Sequence, residues 1–214
     1  MKAFKDFLEF RLKHPLPGKE AQNIMQPRPS KSSTSKLNYD PKTNDFRNSS
    51  VLVPIIAWNG QMEVVFTLRT AGIKHGGQIS FPGGGREGDE SIEATALREA
   101  REEIGLIEES VNIVGVLTPL YINHSGNMVI PVVGFIEQEQ KFIPNPNEVE
   151  EIFTVPLSDL IEKKNHIREE WNLRNIQYNV PFWDVHQVPL WGATAMMMSE
   201  LIELYKEFLS ESKS

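Results

Sequence analysis

Apolar residues recur along this chain with periods near two and near 3.6, and the switches between them predict its elements. Over residues 2–13, Phe4, Phe7, Leu8 and Leu12 fall at helical spacing, and His14-Pro15 ends the segment. From Pro15 to about Ser49 the composition turns to Pro, Ser, Asn, Lys and Gln. That predicts a long, weakly structured connector, either wrapped on the domain or a free tail. Residues 51–58 (VLVPIIAW) form a nearly continuous apolar run and predict a buried strand. Asn59-Gly60 then gives a hairpin turn into a returning strand over 62–68. Residues 74–80 predict a loop into a short strand, and Phe81-Pro82 lead into a turn, Gly83-Gly84-Gly85.

A helix follows over about 91–103, with Asp89 or Ser91 as N-cap and Gly105 as its stop. Ala96, Ala100 and Ile104 recur every four residues along it, with Ile92 at one edge of the stripe and Leu97 widening the other. Strands are predicted over 111–117 and 128–137, joined by a polar loop over 121–127. A turn over 144–147 precedes a segment at 148–153, a short helix at 157–162, and strands near 166–171 and 177–183. The last element is a long helix over 192–209, with Ala195, Met198, Leu201, Ile202, Tyr205 and Phe208 on one face. No internal repeat is visible. The pattern is α+β or an αβα sandwich, with an N-terminal helix and an extended arm.

Composition narrows the partners. A chain of 214 residues, 40% apolar and 24% charged, suits one globular domain with appendages. The division falls between a helix and Pro/Ser-rich extension over 1–49 and a main domain over 50–214. A net charge of −7 argues against a nucleic-acid backbone as partner. The chain has no cysteine, which removes disulfides, thiolate zinc sites and Cys nucleophiles and fits a reducing cytoplasm. No apolar run approaches the roughly 18 residues that span a bilayer, and the charged N-terminus lacks a signal-peptide core. A small molecule is the expected partner, neither nucleic acid nor membrane, and a second copy of the chain stays open.

Chemistry gathers on the 91–103 helix. Residues four apart lie one above the other, so Glu99 and Glu103 point the same way, about 6 Å apart, and Glu102 borders their face. A run such as REAREE more often marks a solvated face laced by ion pairs, here Arg98 with Glu102. Three carboxylates packed this closely repel one another unless a cation is shared, and oxygen-rich clusters suit hard divalent ions such as Mg²⁺ or Mn²⁺.

The wider spacing decides between the two readings. Gly84-x5-Glu90-x7-Arg98-Glu99-Ala100-x-Glu102-Glu103-x-Gly105-Leu106 resembles the signature of the Nudix hydrolases, which cleave a nucleoside diphosphate linked to another group. At average residue usage such a match arises by chance on the order of 10⁻⁸ per start point. The departure is Ala100, where the family often has a bulkier aliphatic residue.

Just upstream, Phe66-Thr67-Leu68-Arg69-Thr70 and the run from Lys74-His75-Gly76-Gly77 to Phe81-Pro82-Gly83-Gly84 are similar to the extra signature of the coenzyme A diphosphatase branch. Leu190-Trp191-Gly192-Ala193-Thr194-Ala195 is similar to that branch's C-terminal pattern. The intervening segment is shorter than usual, and Ile73 stands where the branch often has arginine.

The resemblance implies metal held by Glu99 and Glu103 with Glu102 assisting, and Glu102 or Glu148 as general base. Arg98 orients a helix carboxylate. Arg69, Lys74, His75, Phe81, Gly83 and Gly84 meet the substrate, while Glu90 and Gly105 complete the motif. The implied reaction is metal-dependent hydrolysis of coenzyme A or an acyl derivative to 3′,5′-ADP and the phosphopantetheine part. Two other readings stand beside it: a Nudix enzyme for ADP-ribose or dinucleoside polyphosphates, and a Nudix-like regulator without activity.

Overall fold

The computed structural model describes residues 1–30, 47–58, 60–73, 75–122 and 125–212. The elements in chain order are α1 (Lys2–Arg11), α2 (Gly18–Gln22), β1 (Arg28–Pro29), β2 (Arg47–Trp58), β3 (Gln61–Arg69), β4 (Ile79–Ser80), β5 (Gly83–Gly85) and α3 (Ile92–Ile104). The second half comprises β6 (Val111–Val116), β7 (Leu120–Ile122), β8 (Asn127–Ile136), β9 (Val149–Pro156), α4 (Leu157–Ile161), β10 (His166–Leu173), β11 (Ile176–Trp183), β12 (Leu190–Trp191) and α5 (Gly192–Glu211).

The VLVPIIAW run is apolar at successive positions because β2 is covered on both faces. Leu52 points to one side, where Val65, Val132 and Ile136 meet the stripe Ala96, Ala100 and Ile104 of α3. Val53 and Ile55 point to the other, where Val64, Phe66, Val133 and Phe135 meet Phe4 and Leu8 of α1 and Met198, Leu201 and Ile202 of α5. The central sheet is mixed: β2 runs parallel to β8, and β3 and β6 flank that pair antiparallel. Helix, sheet and helix make the αβα sandwich predicted from the pattern. A second sheet of β1, β11 and β10, with β12 on β11, lies beside it.

Three segments differ from expectation. The connector is ordered over its first part: α2 packs on α5, with Ala21 and Met25 buried. Two well-spaced apolar residues and a polar network suffice there, although the composition is poor in apolar residues. Residues 31–46 of the connector, Asn59 of the hairpin turn, and Asn123 and His124 of the polar loop lie outside the described residues. That loop begins later than expected, because Leu120 and Ile122 lie on one face of β7, which pairs with β8. Finally, the Gly turn is a strand: β5 lies antiparallel on the start of β2, with Gly83 opposite Val51 and Gly84 opposite Ser50. A β-carbon on Gly83 would stand 2.4 Å from the Ser50 carbonyl oxygen, so only glycine lets the two backbones come this close.

Candidate active site

Helix α3 begins where Ser91 Oγ accepts the Ala94 N–H at 3.1 Å, and it ends on Gly105 in the left-handed region. Burial of Ala96, Ala100 and Ile104 fixes its rotation about its own axis. That rotation brings Glu99 and Glu103 to the edge facing β5 and leaves Glu102 half-exposed on the outer rim. The Glu99 carboxylate lies so close to Gly84 that a β-carbon there would stand 2.4 Å from its Oε2. Glu103 is 1% exposed and accepts the Gly83 N–H at 3.3 Å and Arg69 Nη1 at 3.4 Å. Gly83 therefore spends its N–H on Glu103, and Gly84 makes room for Glu99.

Arg98 ties the acids together. Its Nε and Nη2 donate to the two oxygens of Glu90 at 2.7 and 3.1 Å, and Nη2 also reaches the Gly85 carbonyl at 3.0 Å. Nη1 donates to Glu99 at 3.0 Å and to Glu102 at 3.3 Å. Glu90 also accepts the Glu87 N–H and the Thr95 hydroxyl. Hydrogen bonding by Arg98, above all, holds its carboxyl down at about 2. Glu90 thus fastens the loop after β5 to the first turn of α3, a structural duty that its motif position does not reveal.

Glu148 comes to the same place from another part of the chain. The Asn145 and Ile143 N–H groups donate to the Glu103 and Ile104 carbonyls at 2.9 Å, docking the 143–148 turn on the end of α3. The Thr70 N–H donates to the Glu148 carbonyl, also at 2.9 Å. A register shift between Leu68 and Arg69 opposite β9 brings the two strand ends together at this point. Burial pushes the Glu103 carboxyl up to about 7, against the pull of Arg69 and Gly83 and with help from the charges of Glu148 and Glu99. Burial also raises Glu99, with Arg98 opposing it and Glu102 and Glu148 adding to it. The charge of Glu148 therefore reaches both Glu99 and Glu103, and that of Glu99 reaches Glu103.

The remaining candidates divide. Lys74 lies outside the described residues. His75 is exposed, with φ of 61°, in the loop whose ends are joined by the Gly77 N–H on the Arg69 carbonyl at 2.8 Å. Phe81 corrects one expectation: it is buried and stacked on Phe66 with ring centroids 5.1 Å apart, so its ring serves the core rather than a ligand. Among the described residues, no three His, Asp or Glu side chains form a ready-made metal cage. An all-oxygen edge of Glu99, Glu103 and Glu148 nevertheless fits Mg²⁺ chemistry. That ion keeps several waters and takes one or two carboxylates together with substrate phosphates.

Sequence reasoning missed Glu200, a fully buried acid within the apolar run of α5. It accepts the Thr118 hydroxyl and N–H at 2.6 and 3.1 Å, the Gly18 N–H at 3.0 Å and Gln22 Nε2 at 3.1 Å. Its place between Met197, Leu201 and Leu204 was the available signal, since an acid inside a buried stripe needs partners.

Comparison with known proteins follows the same lines. The NUDIX domain family matches residues 48–175. The uncharacterized Nudix hydrolase NudL of Photorhabdus laumondii is 38% identical over 160 residues, 73% of this chain and 84% of that one. Human mitochondrial coenzyme A diphosphatase NUDT8 is 32% identical over 181 residues, 80% of this chain and 73% of that one. Mouse peroxisomal coenzyme A diphosphatase NUDT7 is 40% identical over 123 residues, 56% of this chain and 52% of that one. Among solved structures, a Caenorhabditis elegans Ap4A hydrolase binary complex superposes with a TM-score of 0.51 at 14% identity, over 77% of this chain and 98% of that one. A MutT/nudix family protein from Enterococcus faecalis gives 0.52 at 16% identity, over 81% and 66%. These two likenesses concern the fold alone. With the αβα sandwich and the Gly84-to-Gly105 motif both in place, the chain belongs to the Nudix hydrolases.

Proposed function

We propose that this chain hydrolyses the diphosphate of coenzyme A or an acyl-coenzyme A, giving 3′,5′-ADP and (acyl-)4′-phosphopantetheine. One observation carries the chemistry: Glu99 and Glu103 lie along one edge beside a glycine strand, and the charge of Glu148 on the docked turn reaches both of them. The substrate class rests on the Thr67-to-Gly84 segment and on relatives named as coenzyme A diphosphatases.

Glu99 and Glu103 would hold Mg²⁺ or Mn²⁺, with Glu102 assisting from the rim. When bound, such an ion neutralises diphosphate charge and acidifies water. The chain's own residues do the rest. Arg98 holds Glu99 and Glu102 in place, and Glu90 keeps Arg98 from turning away. Glu148, on the turn docked to α3, takes the proton of the attacking water as that water adds to phosphorus and the bridging P–O bond breaks. Glu102 is less well placed for this task, because Arg98 and Arg101 both engage it. Arg69 offers a guanidinium fork to a phosphate.

Among the described residues no helix is long and apolar enough to cross a membrane. The cysteine-free composition supports a reducing compartment, and we place the activity in the cytoplasm. The test is a panel of coenzyme A, acetyl-coenzyme A, ADP-ribose and diadenosine polyphosphates, each with Mg²⁺ and with Mn²⁺, read by product mass. Release of 3′,5′-ADP from the first two at the highest kcat/KM is expected. Preferential cleavage of ADP-ribose or a dinucleotide would overturn the substrate, and inertness towards all four would overturn the enzyme reading.

A further inference from the structure

A carboxylate buried as deeply as Glu103 needs a cation or several donors nearby. Among the described residues it has two hydrogen-bond donors, both distant: the Gly83 N–H at 3.3 Å and a single nitrogen of Arg69 at 3.4 Å. Arg98 is held quite differently, by bonds as short as 2.7 Å to several oxygens. Arg69 combines a fixed backbone with a loosely held side chain. Its N–H donates to the Gln78 carbonyl at 3.0 Å and its carbonyl accepts the Gly77 N–H at 2.8 Å, so the turn clamps the main chain. Its guanidinium is partly exposed and meets Glu103 through one arm rather than the two-armed fork that arginine makes with a carboxylate it holds firmly.

We propose that Arg69 is a resident counter-cation: it neutralises Glu103 while no metal is bound and releases it when a divalent ion arrives. The idea rests on the divalent-dependent reading above. A 2+ ion at coordination distance from a carboxylate oxygen attracts it far more strongly than a guanidinium at 3.4 Å. The two cations also repel each other. Released, the Arg69 side chain pivots on its clamped backbone, and its fork is free for a phosphate.

The consequence is a linkage between metal affinity and the stability of the metal-free protein. Whatever the Arg69–Glu103 contact contributes when the metal is absent is subtracted from metal binding. The experiment uses the full chain as wild type and as Arg69→Met. Mn²⁺ affinity is measured by electron paramagnetic resonance, and thermal melts are recorded with EDTA and with saturating Mn²⁺, all at pH 8, where Glu103 is ionised without metal.

Arg69→Met should melt lower than wild type in EDTA and level with it in Mn²⁺. It should bind Mn²⁺ about tenfold tighter, the scale expected for one charged hydrogen bond removed from the competing state. Arg69→Gln, a milder change for use if the methionine variant does not fold, should shift affinity the same way by about threefold. An equal drop in melting temperature in both conditions with unchanged affinity would make Arg69 a permanent strut and overturn the proposal. Weaker Mn²⁺ binding would do the same by making it an organiser of the site. Wild-type protein that binds no Mn²⁺ would instead overturn the divalent-dependent reading itself.

Discussion

Two glutamates are no more than 1% exposed, Glu103 on α3 and Glu200 on α5, and their surroundings differ in kind. Glu200 is saturated by four donors at 2.6–3.1 Å that join α5 to α2 and to Thr118 after β6. Among the described residues Glu103 has two distant donors, and Glu99 and Glu148 press their charge upon it. A buried carboxylate supplied with all its bonds contributes to the fold. One left short of bonds and crowded by like charge stores an unfavourable interaction that a cation would relieve, and such arrangements mark sites.

The contrast breaks most visibly at Glu103. Glu103→Gln keeps the shape and removes the charge, so kcat should fall at least about 10³-fold, about 4 kcal/mol in the barrier. Its melting temperature in EDTA should equal or exceed that of wild type. Full activity in the folded variant would remove Glu103 from the chemistry.

Glu200→Ala should do the reverse. It leaves the Thr118, Gly18 and Gln22 donors without their acceptor inside the protein, a loss of about 3 kcal/mol in urea unfolding. The kcat of the molecules that remain folded should stay within about twofold of wild type, since the active-site acids are untouched. Stability unchanged in Glu200→Ala would mean that water replaces the carboxylate without cost.

The same contrast has a pH signature. Native Glu103 holds its proton up to about 7, whereas the unfolded chain loses its own near the ordinary 4.5. Between those values the native state binds more protons, so stability of the EDTA-treated protein should fall as pH rises through that window and then level off. The fall attributable to Glu103 is at most about 3 kcal/mol. Glu90 runs the opposite way. Its carboxyl, depressed to about 2 by Arg98, adds stability above 4.5 that is lost as pH drops towards 2. Urea midpoints in wild type and Glu103→Gln across pH 4.5–8 isolate the first effect, because the variant should lack the decline.

Pattern alone carried the fold a long way. The stripe Ala96, Ala100 and Ile104 is buried as its spacing requires, and doubly covered β2 is what an unbroken apolar run demands. Glu99, Glu102 and Glu103 stood out as a group, but helical spacing could not rank them. Burial ranks them, and burial depends on Arg69 from β3, Gly83 from β5 and the turn that brings Glu148, all contacts distant in sequence. The α2 segment and β7 escaped because the first buries only two apolar residues, Ala21 and Met25, and the second only Leu120. Strand β5 escaped for a different reason: a run of glycines has no side chains whose alternation could reveal a strand.

That last segment gives the mildest test. Gly84 has no special backbone angle, yet a methyl group there would overlap the Glu99 carboxylate, with its carbon 2.4–2.6 Å from all three carboxylate atoms. The side chain must give way, because β5 is fixed by its pairing to β2. In Gly84→Ala, Glu99 should swing off the edge while Glu103, Glu90 and the helix stay in place. Activity should drop about tenfold to a hundredfold, as expected when a metal-binding group is misplaced by about 1 Å. Mn²⁺ affinity should weaken with it, while the melting temperature in EDTA moves by only a few degrees, since the group that moves is partly exposed. If Gly84→Ala instead unfolded the protein while Mn²⁺ affinity of the surviving fraction matched wild type, Gly84 would belong with Glu200 on the structural side of the comparison.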